Sequence, residues 1–188
     1  IQSKEVLICR MIADLLNPRG QHGAGAEYLK IFLRDCLGME KMDTKLADQA
    51  IVTAEYAIDD ERRIDIVIEI GSYFLPIEVK IYAADQKSQC FDYYQYAKRR
   101  DAQAKVYYLT LDGHRPGKDS TSSGSQSVPE EDIVCLLFRV HILNWLKACK
   151  SCENTGMVPI LEQFIQNIEQ ISGYTCLLYT SPSPRDRQ

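Results

Sequence analysis

Two neighbouring stretches constrain this chain more than any other feature: Arg63-Ile64-Asp65-Ile66-Val67-Ile68-Glu69-Ile70 and Leu75-Pro76-Ile77-Glu78-Val79-Lys80. The first alternates strictly, which predicts a strand with Ile64, Ile66, Ile68 and Ile70 on one face and Asp65, Val67 and Glu69 on the other. Gly71-Ser72 turns the chain back, and Tyr73 to Ile81 reads as the returning strand. Ile77, Val79 and Ile81 share one of its faces, so Glu78 and Lys80 share the other. A pair of this kind brings an acid on one strand close to an acid and a lysine on the next.

Around the hairpin, residues 4–16 read as a helix in which Val6, Leu7, Met11, Leu15 and Leu16 recur at helical spacing, stopped by Asn17-Pro18-Arg19-Gly20. After the glycine-rich loop 20–25, a second helix is predicted from about Ala26 to Cys36, with Tyr28, Leu29, Phe32 and Leu33 inward. Residues 38–50 are polar and ambiguous. Ile51–Ile58 reads as a strand leading into the hairpin, and Asp59-Asp60-Glu61 as the turn between them. Asp85 to Arg100 reads as a helix with Gln86, Gln89, Cys90, Tyr93 and Ala97 on one stripe. Ala104–Leu111, rich in β-formers, reads as the next strand. The strand–helix–strand step across 73–111 implies a crossover and a parallel pair. Residues 117–129 are a Gly/Ser/Pro loop expected to be mobile, Ile133–Phe138 a further strand, and Val140–Cys149 and Val158–Ile171 amphipathic helices.

The bulk numbers fit one domain: 188 residues, 45% hydrophobic and 26% charged. No apolar run approaches the ~20 residues that span a bilayer. A net charge of −4 argues against a basic nucleic-acid coat, leaving any phosphate contact to bound cations or a local basic stretch. Lys98-Arg99-Arg100 with Lys105 is that stretch, against its plainer reading as a solvated helix end. Of seven cysteines only Cys149 and Cys152 form a C-x-x-C, and no second ligand pair accompanies them, so reduced thiols in a cytoplasm are expected in place of zinc.

Asp65 and Glu78 converge if the two strands pair in register, because neighbouring strands lie about 4.8 Å apart. Two carboxylates about 4 Å apart repel by roughly 4 kcal/mol at an effective dielectric of 20, and a divalent ion removes that cost. Hard oxygen ligands suit Mg²⁺ or Mn²⁺, and the Val79 carbonyl offers a further oxygen. Lys80, two residues beyond Glu78, is placed to orient or activate an attacking water or to offset charge building on a phosphate. Such a cluster is what metal-dependent phosphodiester cleavage needs. Acid-x-Lys alone is weak evidence, since Asp43-Thr-Lys45 and Asp85-Gln-Lys87 share the pattern. Only Glu78–Lys80 ends an apolar strand that follows another carrying an acid; Asp85 stands where a helix cap is favoured. The competing structural reading is a surface ion-pair ladder of Asp65 and Glu78 with Lys80 and Arg63. The length of the next strand and the helices that follow favour a covered sheet.

These residues resemble the PD-(D/E)xK nuclease superfamily, with Ile64-Asp65 in place of Pro-Asp and a full match at Glu78-Val79-Lys80. The chain is most similar to a bacterial subfamily with three further blocks: Leu15-Leu16-Asn17-Pro18-Arg19-Gly20-Gln21-His22-Gly23-Ala24-Gly25; Glu78 to Gln86 with Gln89 and Tyr93; and Tyr107-Tyr108-Leu109-Thr110-Leu111-Asp112-Gly113. The resemblance covers about residues 4–172. It implies an α/β, restriction-endonuclease-like αβββαβ core with a mixed central sheet flanked by helices, here with extra C-terminal helices. It implies a Mg²⁺-dependent nuclease acting on DNA, in defence or repair, with Mn²⁺ as an alternative ion. Asp65 and Glu78 become metal ligands and Lys80 catalytic. Glu5 sits where the leading helix adds an acid, with Glu27 as fallback. Gln86 resembles the glutamine that accompanies such sites, against a reading as a turn residue after Asp85. His22 lines the site or packs the loop; Tyr93, Tyr94 and Tyr96 stack on bases or belong to core and half-exposed surface. The alternatives to an enzyme are an inactive nucleic-acid-binding or interaction module on the same fold, and a structural domain of a larger defence or repair protein.

Apolar periodicity stops at Ile171, and the stretch from Cys176 to Asp186 resembles a translated sequencing adapter. The expectation is a single domain over residues 1–175, truncated at its N-terminus, with a non-native tail at 176–188 on a metagenomic fragment.

Overall fold

The computed structural model describes residues 2–40, 42–152 and 155–173, so the adapter-like tail lies outside the described residues. Helices α1 (Gln2–Leu16), α2 (Glu27–Asp35) and the short α3 (Thr44–Ala47) precede strands β1 (Ile51–Ala57), β2 (Arg63–Ile70) and β3 (Tyr73–Lys80). Then come α4 (Gln89–Arg100), β4 (Val106–Thr110), a strap made of α5 (Lys118–Thr121) with the tiny hairpin β5 (Ser122–Ser123) and β6 (Gln126–Ser127), and β7 (Ile133–Leu137). A π-helical turn at Phe138–Ile142 leads into α6 (Leu143–Lys150) and α7 (Val158–Ile171). The main sheet runs β1-β2-β3-β4-β7, antiparallel through β3 and parallel from β3 to β7. This is the expected mixed α/β sheet with the parallel step across α4.

The sheet is covered on both faces. One core joins α1, α2, α6 and α7 to Ile66, Ile68, Ile70, Leu75, Ile77 and Val79, with Trp145 buried at its centre. The Trp145 indole N–H donates to the Tyr28 carbonyl at 2.8 Å and its ring meets Phe32 edge-on, tying α6 to α2. The other core is smaller: Cys90, Phe91, Tyr93 and Ala97 of α4 pack on Ile64, Val67, Phe74, Val106 and Tyr108. Pro76 sits inside a central strand one residue before the β4 ladder begins at Ile77, a position where its missing N–H removes no rung to β4.

Several expectations need correction. Strict alternation in β2 fails at Ile64, which packs in the same core as Val67 instead of with Ile66 and Ile68. The strand rotates at Asp65, because Glu55 opposite it adopts a left-handed φ of 53° and the β1 ladder skips that pair. In α1, Leu7 is 58% exposed; the buried stripe is Glu5, Cys9, Ile12 and Leu16, so an acid occupies a core position. Helix α4 begins at Gln89 and not Asp85, since Ser88 is left-handed at φ 56°. Asp85 does not cap it; its carboxylate accepts from the Tyr108 hydroxyl at 2.6 Å and the Gly117 N–H at 2.7 Å. The loop at 117–129 carries regular elements, α5 and the β5–β6 hairpin, and Ser88 N–H donates to the Asp119 carbonyl while the buried Ser120 hydroxyl accepts from Cys90 N–H. The helix expected from Val140 starts instead with the π-helical turn.

Candidate active site

Strand register builds the site. β2 and β3 pair Ile66 with Ile77, and one further step sets Asp65 against Glu78. Asp65 accepts the Val79 N–H on Oδ2 at 2.8 Å, which turns its carboxyl toward β3, and the two acids lie close enough to share a proton. Lys80 Nζ meets Glu78 Oε1 at 2.7 Å. Glu78 and Lys80 are 1% and 7% exposed, which sets aside the solvent-exposed ion-pair ladder. The other oxygen, Glu78 Oε2, is buried and has no hydrogen-bond donor.

Burial raises the Glu78 carboxyl well above its ordinary range, with the Asp65 charge adding to the shift and Lys80 opposing it. Burial also raises Asp65, against the pull of the Val79 N–H and Lys80. For Lys80 burial acts downward, but the Glu78 and Asp65 carboxylates outweigh it and hold the ammonium above its usual value. The result is a buried pair of acids with one cation between them, short of positive charge.

That donor set suits a hard divalent cation. The orphaned Glu78 Oε2 is an oxygen that needs either a proton or a metal ion, on a carboxyl that already interacts with Asp65. Among the described residues, no three His, Cys, Asp or Glu side chains are grouped closely enough to hold a metal alone. An ion held here would need its remaining ligands from backbone oxygens, water or substrate.

The cleft in front of this pair has a volume of about 320 Å³ and is bordered by Glu5, Arg62, Gln86, Gln89 and Tyr93 as well as the acids and Lys80. Glu5 is buried, but its Oε2 accepts the N–H groups of Ile81 and Tyr82 at 2.8 Å and of Ala83 at 3.4 Å. It anchors the end of β3 to α1. Glu27, the fallback acid, is exposed and pairs with Lys30 at 3.0 Å. Gln86 lies before α4, exposed at the mouth of the cleft, and its Oε1 accepts from Arg62. Gln89 is the buried glutamine: its Nε2 donates to the Tyr93 hydroxyl at 3.0 Å, and that hydroxyl donates to the Arg63 carbonyl. The i,i+4 spacing of Gln89 and Tyr93 on one helix stripe was the signal for this pair. Arg62 carried no signal, since its partners lie up to 30 positions away.

Other singled-out residues serve the fold. His22 stacks on Tyr28 at 4.8 Å, takes the Ala24 N–H on Nδ1 and so donates from Nε2 to the Asn17 carbonyl. Tyr93 is core, whereas Tyr94 and Tyr96 are half-buried and bond to Asp132 and Tyr56. At the far end of α4, Lys98 pairs with Asp132, Arg100 pairs with Glu69, and Lys105 donates to the Glu131 carbonyl. Asp43 caps α3 through the Lys45 N–H.

Comparisons with curated proteins and with solved structures give no match. The family profile of the PD-(D/E)XK nuclease superfamily matches residues 1–167, a span that runs from Glu5 through the acid pair and Lys80 to α7. With that profile covering most of its length, the chain belongs to the PD-(D/E)XK nuclease superfamily.

Proposed function

We propose that this chain is a nuclease that hydrolyses phosphodiester bonds in DNA with Mg²⁺, or Mn²⁺ in its place, held by Asp65 and Glu78. The observation that carries this reading is the buried, donorless Glu78 Oε2 beside Asp65 on the neighbouring strand, with Lys80 on the other Glu78 oxygen. The bound ion would supply Lewis-acid charge at the scissile phosphate. Lys80, held at 2.7 Å by Glu78, keeps its ammonium beside the reacting phosphate, where it orients the attacking water and offsets developing negative charge. The Val79 N–H keeps Asp65 turned toward Glu78. Gln86, exposed at the cleft mouth, is assigned to substrate contact, and Glu5 to holding the β3 end that carries Lys80. With a net charge of −4, binding to DNA depends on the cation more than on a basic surface. No helix among the described residues is long and apolar enough to cross a membrane, and a cytoplasmic role in defence or repair is the setting we assign.

The test is cleavage of plasmid, linear duplex and single-stranded DNA, with RNA alongside, in Mg²⁺, Mn²⁺ or EDTA. Wild type is expected to cut DNA only with the ions, and Glu78→Ala and Lys80→Ala to lose roughly a hundredfold or more, the scale of removing one charge-stabilising group. Equal activity in both variants would sink the assigned roles. Binding that persists in EDTA with no product under any metal would favour a non-catalytic module.

A further inference from the structure

Asp65 occupies an unusual place in its strand. The β2–β3 ladder ends at Ile66↔Ile77, and the β1–β2 ladder skips from Ala54↔Ile66 to Tyr56↔Ile64. Asp65 therefore stands unpaired toward both neighbours at the point where β2 rotates. Its location depends on the Val79 N–H in front and on whatever fixes the chain just before it.

The Tyr56↔Ile64 and Ala57↔Arg63 pairs and the Tyr93 hydroxyl on the Arg63 carbonyl hold that chain on one side, and Arg62 ties it across the cleft. Asp59 Oδ1 accepts the Glu61 and Arg62 N–H groups, and Arg62 C=O accepts Ile58 N–H, so the turn before β2 is closed on itself. From this turn the Arg62 side chain, only 21% exposed, crosses to the far wall of the cleft. Its Nε donates to Asp92 Oδ2 at 3.0 Å, Nη1 to Gln86 Oε1 at 2.9 Å and Nη2 to the Lys87 carbonyl at 2.5 Å. One planar fork thus joins the start of β2, the segment before α4 and α4 itself, three walls of the same cleft. Apart from this clasp, Cys90, Tyr93 and Ala97 bury α4 against the sheet.

We propose that Arg62 is a positioning residue for the site. It sets the distance between Asp65 and Glu78 and the aim of Gln86, and so the affinity for the divalent ion. This rests on the reading that Asp65 and Glu78 hold that ion.

The experiment compares Mn²⁺ binding, by calorimetry and by the Mn²⁺ electron-spin signal, in wild type, Arg62→Met, Arg62→Lys and Asp65→Asn, with the thermal midpoint of each in EDTA. Arg62→Met is expected to weaken Mn²⁺ roughly ten- to hundredfold, the usual effect of removing a group that orients a metal ligand. Arg62→Lys keeps the charge opposite Asp92 but not the fork, and is expected to recover only part of the loss. It carries the test should Arg62→Met fail to fold. In cleavage assays the loss should appear as a raised Mn²⁺ requirement. Wild-type Mn²⁺ affinity in both Arg62 variants, with binding lost in Asp65→Asn, overturns the role of Arg62 and leaves the site standing. No saturable Mn²⁺ binding by wild type overturns both.

Discussion

At the scale of single residues, the acid pair links metal binding to protons. Asp65 and Glu78 are both raised by burial, so without an ion the folded protein holds protons more tightly than the unfolded chain does. The sign follows: their contribution to stability is full below the ordinary carboxyl range near pH 4 and is lost as pH rises through the raised folded-state values. Asp65→Asn in EDTA at alkaline pH is therefore expected to raise stability, read by urea denaturation, while abolishing Mn²⁺ binding. In wild type, Mn²⁺ affinity should fall as pH drops toward the ordinary carboxyl range and binding should release protons, which calorimetry in buffers of different ionisation enthalpy would reveal. An affinity that does not change with pH would contradict the raised values. The pairing of these acids was legible in the sequence because a hairpin fixes register locally. The contacts of Glu5 with the end of β3 were not, although its position four before Cys9 and seven before Ile12 marks the buried stripe of α1.

At the scale of elements, the leading helix and its loop show what spacing conveys and what it omits. Asn17-Pro18 ends α1 as expected, with Asn17 Oδ1 accepting the Arg19 N–H at 3.0 Å. The need for Gly20 lies in three dimensions: a Cβ there would stand 2.3 Å from the Asp14 carbonyl and 2.7 Å from the His22 ring. Gly20→Ala is expected to lower stability by ~1–3 kcal/mol in urea denaturation, since the backbone must move. A silent substitution would mean the loop is looser than its packing indicates. Strand β2 teaches the same lesson. Its alternation predicted four isoleucines on one face, but the left-handed Glu55 on the adjacent strand turns Ile64 to the other. That conformation costs an L-residue roughly 1–2 kcal/mol, partly offset here by the Arg10–Glu55 pair at 2.6 Å. Glu55→Gly is therefore expected to be neutral or slightly stabilising, against the usual loss for glycine in a strand, and circular-dichroism melting would check it.

At the scale of the whole molecule, the order of strands and the parallel step across α4 were legible, because strand–helix–strand connections have few solutions. The contacts that complete the cleft were not. Glu5 reaches Ile81 across 76 positions and Arg62 reaches Asp92 across 30, and neither distance leaves a periodic trace. The cleft thus gathers α1, β2, β3 and α4 around one charge-deficient centre, so a ligand there should stabilise the entire fold. Mg²⁺ at about a hundred times its dissociation constant is expected to add ~2.7 kcal/mol to wild type and nothing to Glu78→Ala, measured as a shift in thermal midpoint. The same kink that frees Asp65 acts on the outside of the sheet as well. β1 is an edge, and an uninterrupted edge invites a foreign chain to add itself as another strand. Glu55 breaks that row of free N–H and C=O groups midway and places a charged side chain, clasped by Arg10, on the rim. The distortion that shapes the interior cleft also makes this edge of the sheet a poor template for aggregation.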